Sequence, residues 1–287
     1  MNVIIGIIVS IFSSILFAIS TVLQKKGVSD IPEVKMSDLD SILNIVRSKN
    51  WRNGFIIGQV AFVLYLFALA IMGVAIAHPF ILALQLAFLP IFASSLIKEK
   101  LGKVETAGIL ILITAVTFLY LSDVSRTNVD PASSVFLNRL LIFSLIWSAA
   151  FAVIVLVFLL TRGTSMRGSA AAVLSGSVLG MSAVLSQAGI EMIAGDGTNF
   201  VLTGLFFFFC VLIGNVLGTV LQQIAYQKGK AGVSNSLNNG VSMTVSVMGG
   251  IFIFSQNIHS VTLFVTGIVM IMVGCGLLIR FQEKFNS

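Results

Sequence analysis

Most Lys and Arg residues of this chain fall in alternate gaps between nine apolar runs. Each run has roughly 20 residues, the length that an α-helix needs to cross a bilayer. The runs cover residues 2–23, 53–73, 76–97, 105–122, 140–161, 169–191, 200–224, 233–254 and 261–279. All of the 17 Lys and Arg residues except Arg126 and Arg139 fall in the first, third, fifth and seventh gaps and the tail. Short basic loops stay in the cytoplasm during insertion, so we predict an outside N-terminus and a cytoplasmic C-terminus.

Composition agrees with an integral membrane protein. Hydrophobic residues make up 57% of the chain, charged residues 10%, and the mean hydropathy is +1.05. The net charge of +6 belongs to short loops beside apolar runs, where anionic lipid headgroups are the expected partner. Cys210 and Cys275 both lie inside apolar runs and predict no disulfide framework and no cysteine metal site. We therefore predict a plasma-membrane protein in contact with the lipid bilayer, without a nucleic-acid partner and without a cofactor.

The runs predict an all-α transmembrane bundle with an internal repeat. Residues 20–23 (Ser-Thr-Val-Leu) resemble residues 182–185 (Ser-Ala-Val-Leu) at an offset of 162 positions, 20 to 182. Five crossings separate each helix from its equivalent, so the two halves are expected to be inverted, as in many secondary transporters. We expect a first four-helix repeat in residues 1–122, a connecting helix with its loops in 123–168, and a second repeat in 169–287. A cytoplasmic amphipathic helix is predicted at about residues 35–50, where Ser37 and Asp40 form a capping pattern.

Polar side chains recur on single faces of several runs. An unpartnered polar group is costly in hydrocarbon, so these side chains should face a partner or water. The candidate solute ligands are Ser20 and Gln24 in the first run, His78 and Gln85 in the third, Ser182 and Gln187 in the sixth, Asn215 and Gln222 in the seventh, and Asn235, Asn239 and Ser242 in the eighth. If these faces converge, they line an uncharged polar cavity between the two halves.

Each set also has a simpler explanation. Serine-rich faces let membrane helices pack closely, so Ser20 and Ser182 can serve packing alone. His78 follows an uncharged turn and can be a solvated histidine at a loop end. Glu191 and Asp196, at the outer mouth, can attract cations or simply belong to a solvated loop.

Several short segments resemble a known family. They are Leu23-Gln24-Lys25-Lys26-Gly27-Val28, Ala77-His78-Pro79, Lys98-Glu99-Lys100-Leu101-Gly102 and Ala107-Gly108. The chain resembles the drug/metabolite transporter (DMT, EamA-like) superfamily, and within it the NIPA-type magnesium transporters. The resemblance implies an all-helical carrier of four-helix repeats that moves a small solute by alternating access. The small multidrug exporters of this superfamily depend on a glutamate in the first helix, which this chain lacks, so proton-coupled export of cationic drugs is not expected.

Three functions remain open on the sequence. The first is a secondary-active carrier for a small polar or zwitterionic solute, and the second a NIPA-like transporter of Mg²⁺ or another divalent cation. The third is a non-transporting membrane scaffold, in which the polar faces serve packing only. The sequence contains no metal-ligand cluster, phosphate loop or nucleophile–base pair, so we predict neither catalytic nor metal-ligating residues and no enzyme. A homodimer is left open.

Overall fold

The computed structural model describes residues 2–29, 48–96, 103–122, 124–125, 129–161, 166–195, 197–228 and 231–277. Within these residues the chain forms nine helices and two short strands. The helices are α1 (Asn2–Ser29), α2 (Lys49–Met72), α3 (Val74–Leu96), α4 (Lys103–Leu121), α5 (Ser134–Leu160), α6 (Arg167–Ala194), α7 (Thr198–Lys228), α8 (Ala231–Phe252) and α9 (Val261–Leu277), and the strands are β1 (Val124–Ser125) and β2 (Asn257–Ile258). The predicted all-α fold is confirmed.

The helices follow the apolar runs closely. Their ends differ from those of the runs by at most six residues, as at the end of α1 (29 against 23) and the start of α5 (134 against 140). Six of the described helices, α1, α2, α3, α5, α6 and α7, are long and apolar enough to cross a membrane. Shorter apolar helices cover Thr106–Leu121 and Val261–Gly274. These lengths and compositions fit the predicted membrane protein.

Within the first half, α1 packs against both α2 and α3. Ser14 Oγ donates to the carbonyl oxygen of Ile81 at 3.2 Å, and further along both helices Val22 lies in one cluster with Leu89. Sequence numbers therefore rise together, so α1 and α3 are parallel. α1 and α2 are antiparallel, because Ser13 contacts residue 61 and Ser20 contacts residue 54, so the numbers fall on α2 as they rise on α1.

The second half repeats this arrangement with α6, α7 and α8. α6 packs against both α7 and α8. A Cβ atom at Gly176 would overlap the carbonyl oxygen of Asn238, and one at Gly180 would lie 2.7 Å from that of Ser242. Because these numbers rise together, α6 and α8 are parallel, as α1 and α3 are.

The two halves meet where α3 contacts α8 and where α4 contacts α9. A Cβ atom at Gly267 would lie 3.1 Å from the carbonyl oxygen of Ala115, and one at Gly274 would lie 2.7 Å from Leu112. The numbers rise on α9 and fall on α4, so this pair is antiparallel. α3 and α8 are antiparallel too, because residue 75 lies beside Gly250 and residue 78 beside residue 242.

One end of the bundle is tied together by contacts between the halves. β1 pairs with β2 in antiparallel register, with residue 124 opposite 258 and 125 opposite 257. The backbone N–H of Ser260 also donates to the carbonyl oxygen of Ser122 at 3.1 Å. Arg139, on α5, donates from Nη1 to Ser255 Oγ. The turns after α4 and α8 are therefore held side by side.

A glycine and a glutamine form the break between α2 and α3. Gly73 has a φ of 78°, in the region that favours glycine. A Cβ atom there would overlap the amide of Gln256, which packs into the break. Gln256 Oε1 accepts a hydrogen bond from the backbone N–H of Ala75 at 2.9 Å, so it satisfies one of the unpaired donors at the start of α3.

The interior and the lipid-facing surface are divided between helices. α3 and α6 are buried along most of their length, whereas α5 and α7 expose large apolar side chains. Those of α5 include Leu141, Leu145, Ile146, Val153 and Leu160. Phe206 and Phe209 of α7 are exposed as well, as expected for residues that face lipid. A surface of this kind is stable only in an apolar medium.

Two sequence predictions concern parts of the chain outside the described residues. The predicted amphipathic helix at about 35–50 lies there, except for residues 48–50, which begin α2. The segment Lys98-Glu99-Lys100-Leu101-Gly102, on which part of the family resemblance rests, also lies outside them.

Candidate functional site

The polar face of α1 contacts α2. Ser13 Oγ donates to the carbonyl oxygen of Ala61 at 2.9 Å, and Ser20 Oγ donates to that of Gly54 at 2.8 Å. The side chain of Gln24 donates from Nε2 to Ser20 Oγ at 2.9 Å. The predicted ligands Ser20 and Gln24 therefore lie in the contact between α1 and α2. This is the simpler explanation given above for Ser20, in which the side chain serves helix packing.

The corresponding face of α6 contacts α7. Ser175 Oγ donates to the carbonyl oxygen of Gly218 at 2.7 Å. Ser182 Oγ lies so close to Gly214 that a Cβ atom there would overlap it. These two serines come 162 residues after the two serines of α1 (13 to 175 and 20 to 182) and have the same role. Ser182 is thus another predicted ligand that packs helices within one half.

His78 joins the two halves by a side-chain hydrogen bond between α3 and α8. Its Nδ1 lies 3.1 Å from Tyr65 Oη on α2, and its Nε2 lies 2.9 Å from Ser242 Oγ on α8. Only 8% of the residue is exposed. The sequence allowed a solvated loop-end histidine, but α3 begins four residues earlier, at Val74, and encloses His78 in the bundle.

Helical periodicity places two further predicted ligands, Gln85 and Asn239, on the faces of α3 and α8 that carry His78 and Ser242. Gln85 lies seven residues after His78 and is half-buried, and Asn239 lies one turn before Ser242 and is buried. Seven residues are close to two helical turns, so Gln85 shares the His78 face of α3, and position 235 shares the Ser242 face of α8. The antiparallel register puts positions 85 and 235 at one level. The side chain of Asn235 lies outside the described residues.

Asn238 belongs to the contact between α6 and α8. Its Nδ2 donates to Ser175 Oγ at 2.5 Å, and that hydroxyl donates in turn to α7. A continuous chain of hydrogen bonds therefore crosses the second half from α8 to α7. Asn239, the next residue of α8, is not part of this chain of hydrogen bonds.

Gln187 and Glu191 form a second buried polar pair, on α6. Gln187 Nε2 donates to Glu191 Oε1 at 2.5 Å. Gln187 is completely buried, and its Oε1 has no hydrogen-bond partner among the described residues. Glu191 is only 6% exposed, because α6 continues to Ala194. The solvated loop considered for Glu191 is therefore wrong, and Asp196 lies outside the described residues.

The polar residues of α7 lie away from His78. Asn215 and Gln222 are half-buried on a helix that packs mainly against α6. Thr219, between them, donates to the carbonyl oxygen of Asn215 at 2.8 Å and is exposed. The structure brings neither predicted ligand of α7 to the contact between α3 and α8.

Sequence reasoning missed Tyr65 and Gln256. Tyr65 is buried and stands edge-on to the His78 ring, with ring centroids 5.9 Å apart. A single phenol in the middle of an apolar run was the available signal, since the chain has only three tyrosines. Nothing in the sequence near Gln256 indicates that its partner is a backbone N–H at residue 75.

None of the predicted polar ligands lines either of two cavities found in the described part of the chain. A cavity of 210 Å³ has Asp130, Ser133, Arg139 and Ser255 in its lining, at the end where the halves are tied. A cavity of 350 Å³ is apolar and lies between α5 and α6. His78, Ser242 and Asn239 therefore define a closed polar contact in this conformation of the protein, where an open cavity was predicted.

The same residues offer neutral hydrogen-bonding groups. The imidazole of His78, the phenol of Tyr65 and the hydroxyl of Ser242 come together, and the described residues hold no group of three or more His, Cys, Asp or Glu that could bind a metal ion. Such groups recognise polar solutes by hydrogen bonds.

Comparison of the chain with protein-family models, curated proteins and solved structures gives no significant match. The resemblance to the drug/metabolite transporter superfamily thus stays a prediction from the sequence.

Proposed function

We propose that this protein is a secondary-active membrane transporter that moves a small polar or zwitterionic solute by alternating access. The observation that carries the proposal is the pairing of α3 with α8 and of α4 with α9. Both pairs are antiparallel, and the first encloses the polar cluster of Tyr65, His78, Asn239 and Ser242. Inverted halves that meet at a polar site are the usual construction of secondary transporters.

The internal contacts of the halves support an inverted repeat of nine spans. α1 contacts α2 and α3 as α6 contacts α7 and α8, and the matching serines are 162 residues apart. Equivalent helices of inverted halves run in opposite directions, which is the relation found for α3 with α8 and α4 with α9. An axis in the membrane plane would then lie beside His78. In this arrangement the halves can rock about the polar cluster and expose it to each side in turn.

Gln85 and Asn239 are the side chains best placed to contact the solute. Neither side chain has a hydrogen bond within the described part of the chain. Their amides each offer two donors and an acceptor. Since α8 carries no charged residue at all and α3 has none but the titratable His78, the solute should be neutral or zwitterionic.

The orientation follows from the basic loops. The gaps rich in Lys and Arg place the N-terminus outside the cell and the C-terminus in the cytoplasm. The plasma membrane is the expected location.

Aqueous labelling of single cysteines tests the proposal. Asn239→Cys and Gln85→Cys are placed one at a time in a background carrying Cys210→Ser and Cys275→Ser, reconstituted in vesicles. A carrier that opens to water exposes both positions part of the time, so a small thiol reagent should label them within minutes. Met243→Cys is the control, because Met243 lies on the same helix but in the apolar core, and it should stay unlabelled.

A scaffold gives the opposite result, with all three cysteines protected. For the solute itself, polar compounds are screened for a rise in the melting temperature of the purified protein. A ligand at 100 times its Kd that binds only the folded state adds about 2.7 kcal/mol to stability. Labelling of Asn239→Cys that such a compound suppresses would establish the site.

The buried carboxylate of Glu191 favours a second candidate function, the transport of Mg²⁺ or another divalent cation. Mg²⁺ usually takes one or two carboxylates and keeps several waters, and Gln187 adds an amide oxygen beside Glu191. Uptake of Mg²⁺ into vesicles should then be lost in Glu191→Gln and retained in Asn215→Ala. Mg²⁺ uptake that is unchanged in Glu191→Gln would exclude this role for the pair.

A further inference from the structure

His78 is placed so that it can hold a proton without losing a contact. In neutral imidazole one ring nitrogen donates and the other accepts, whereas in the protonated ring both donate. Both partners of His78, Tyr65 Oη and Ser242 Oγ, are hydroxyl oxygens that can donate or accept. Rotation of a hydroxyl hydrogen is therefore enough to keep both hydrogen bonds when the ring gains a proton.

No opposite charge in the described contacts would offset the charge on that ring. On α2 the titratable group that faces it is Tyr65, and on α8, residues 231–252, there is none. The other titratable residues of the helices packed against α3 lie towards helix ends: Lys25 and Lys26 on α1, Lys49 and Arg52 on α2, Lys103, Glu105 and Tyr120 on α4, Arg167 and Glu191 on α6, and Cys275 on α9. Glu191 is engaged by Gln187.

A buried charge without a partner is costly, and contact with water removes most of that cost. The closed contact between α3 and α8 therefore favours neutral His78, and a hydrated, opened contact favours the protonated ring. Since one state binds the proton better than the other, protonation shifts the population towards the open state.

We propose that His78 is the proton-binding residue that couples this protein to a proton gradient. The inference rests on the proposed transport function and names its coupling ion. The proton is taken from water on one side by a ring nitrogen, and α8 separates from α3. It is released to water on the other side before the contact closes, so one proton crosses per cycle and no other reactant is needed.

The rate at which a thiol reagent labels Asn239→Cys, measured from pH 5 to pH 8, tests this coupling without a known solute. Labelling should be at least tenfold faster at the acidic end, after correction by Asn199→Cys, whose exposed position on α7 reports the pH dependence of the thiol itself. In His78→Gln or His78→Asn the corrected rate should not change with pH. The glutamine amide reaches the place of Nε2 and the asparagine amide that of Nδ1, so each variant keeps one of the two hydrogen bonds.

Direct titration of His78 requires no change at that residue. The chain has two histidines, so His259→Gln leaves His78 as the only one. In the ¹⁵N-labelled protein its ring nitrogens should gain a proton over the pH range in which labelling accelerates. A ring that stays neutral throughout, or a corrected rate that is the same in His78→Gln and the parent, would overturn the coupling.

These results separate the two proposals. If Asn239→Cys is labelled at a rate independent of pH, the transporter stands and His78 is not its proton site. If Asn239→Cys is protected at every pH, both proposals fail.

Discussion

Ser175 shows how one buried hydroxyl joins three helices. It donates to the Gly218 carbonyl on α7 and accepts from Asn238 Nδ2 on α8. Both bonds are short, at 2.7 and 2.5 Å, and the serine is completely buried. In hydrocarbon the alternative for Asn238 is an unpaired donor, so the hydroxyl contributes more than its own bond.

Removal of that hydroxyl should destabilise the fold. We expect Ser175→Ala to lower the free energy of unfolding in detergent by about 1–3 kcal/mol, because the Asn238 amide loses its acceptor. Thr219→Ala, on α7, is the matched control. Its hydroxyl bonds within its own helix and faces the lipid side, so its effect should stay within about 0.5 kcal/mol. Equal losses in the two variants would show that the hydrogen-bond chain does not stabilise the second half.

Among the helices, α6 and α8 approach each other closely at Gly176. Gly176 faces the Asn238 carbonyl so directly that no Cβ atom fits between the two backbones. Gly240, on α8, has only a methionine methyl group near its missing Cβ, at 3.5 Å. Close packing of the backbones therefore requires a glycine at 176 but not at 240, although the sequence does not distinguish the two positions.

Alanine at each glycine should have opposite effects. Gly176→Ala must push α8 from α6, and we expect a loss of about 1–3 kcal/mol, the usual result of overpacking. Gly240→Ala adds a methyl group at ordinary van der Waals distance in a helix interior, where alanine is better than glycine by about 0.5–1 kcal/mol. Melting temperatures of the two variants in one detergent are the measurement. A stable Gly176→Ala variant would mean that the backbones are further apart than described.

At the scale of the whole molecule, the orientation of the bundle in the membrane decides which end of each helix faces the cytoplasm. Ser48 precedes α2 and Asn199 lies at the start of α7, at opposite ends of the bundle in the proposed topology. In intact cells a membrane-impermeant reagent should leave Ser48→Cys unlabelled and should label Asn199→Cys. After permeabilisation both should react, which controls for local burial. The reverse pattern would invert the topology and place the tied end of the bundle in the cytoplasm.

The sequence predicted the helices because the signals are local. An apolar run long enough to cross a bilayer forms a helix whatever helices pack against it. Its backbone N–H and C=O groups have no water to bond and must form hydrogen bonds within the run. The spacing of Ser13 and Ser20 was readable for the same reason, and Ser175 and Ser182 repeat it in the second half. The sequence suggests that Gly73 interrupts the helix between α2 and α3. It does not indicate that Gln256 packs against this glycine.

The partners of each polar side chain were decided only by the tertiary structure. Ser20 and Gln24 look as suited to a solute as Asn239 does, yet α1 is rotated so that they meet α2, whereas α8 presents Asn239 and Ser242 to α3. The bond from Tyr65 to His78 depends on how α2 packs against α3. The burial of Glu191 depends on the extension of α6 past its apolar run. Helical periodicity fixes which residues share a face. The rotation of one helix against another depends on close packing with its neighbours, and that packing is a property of the assembled bundle.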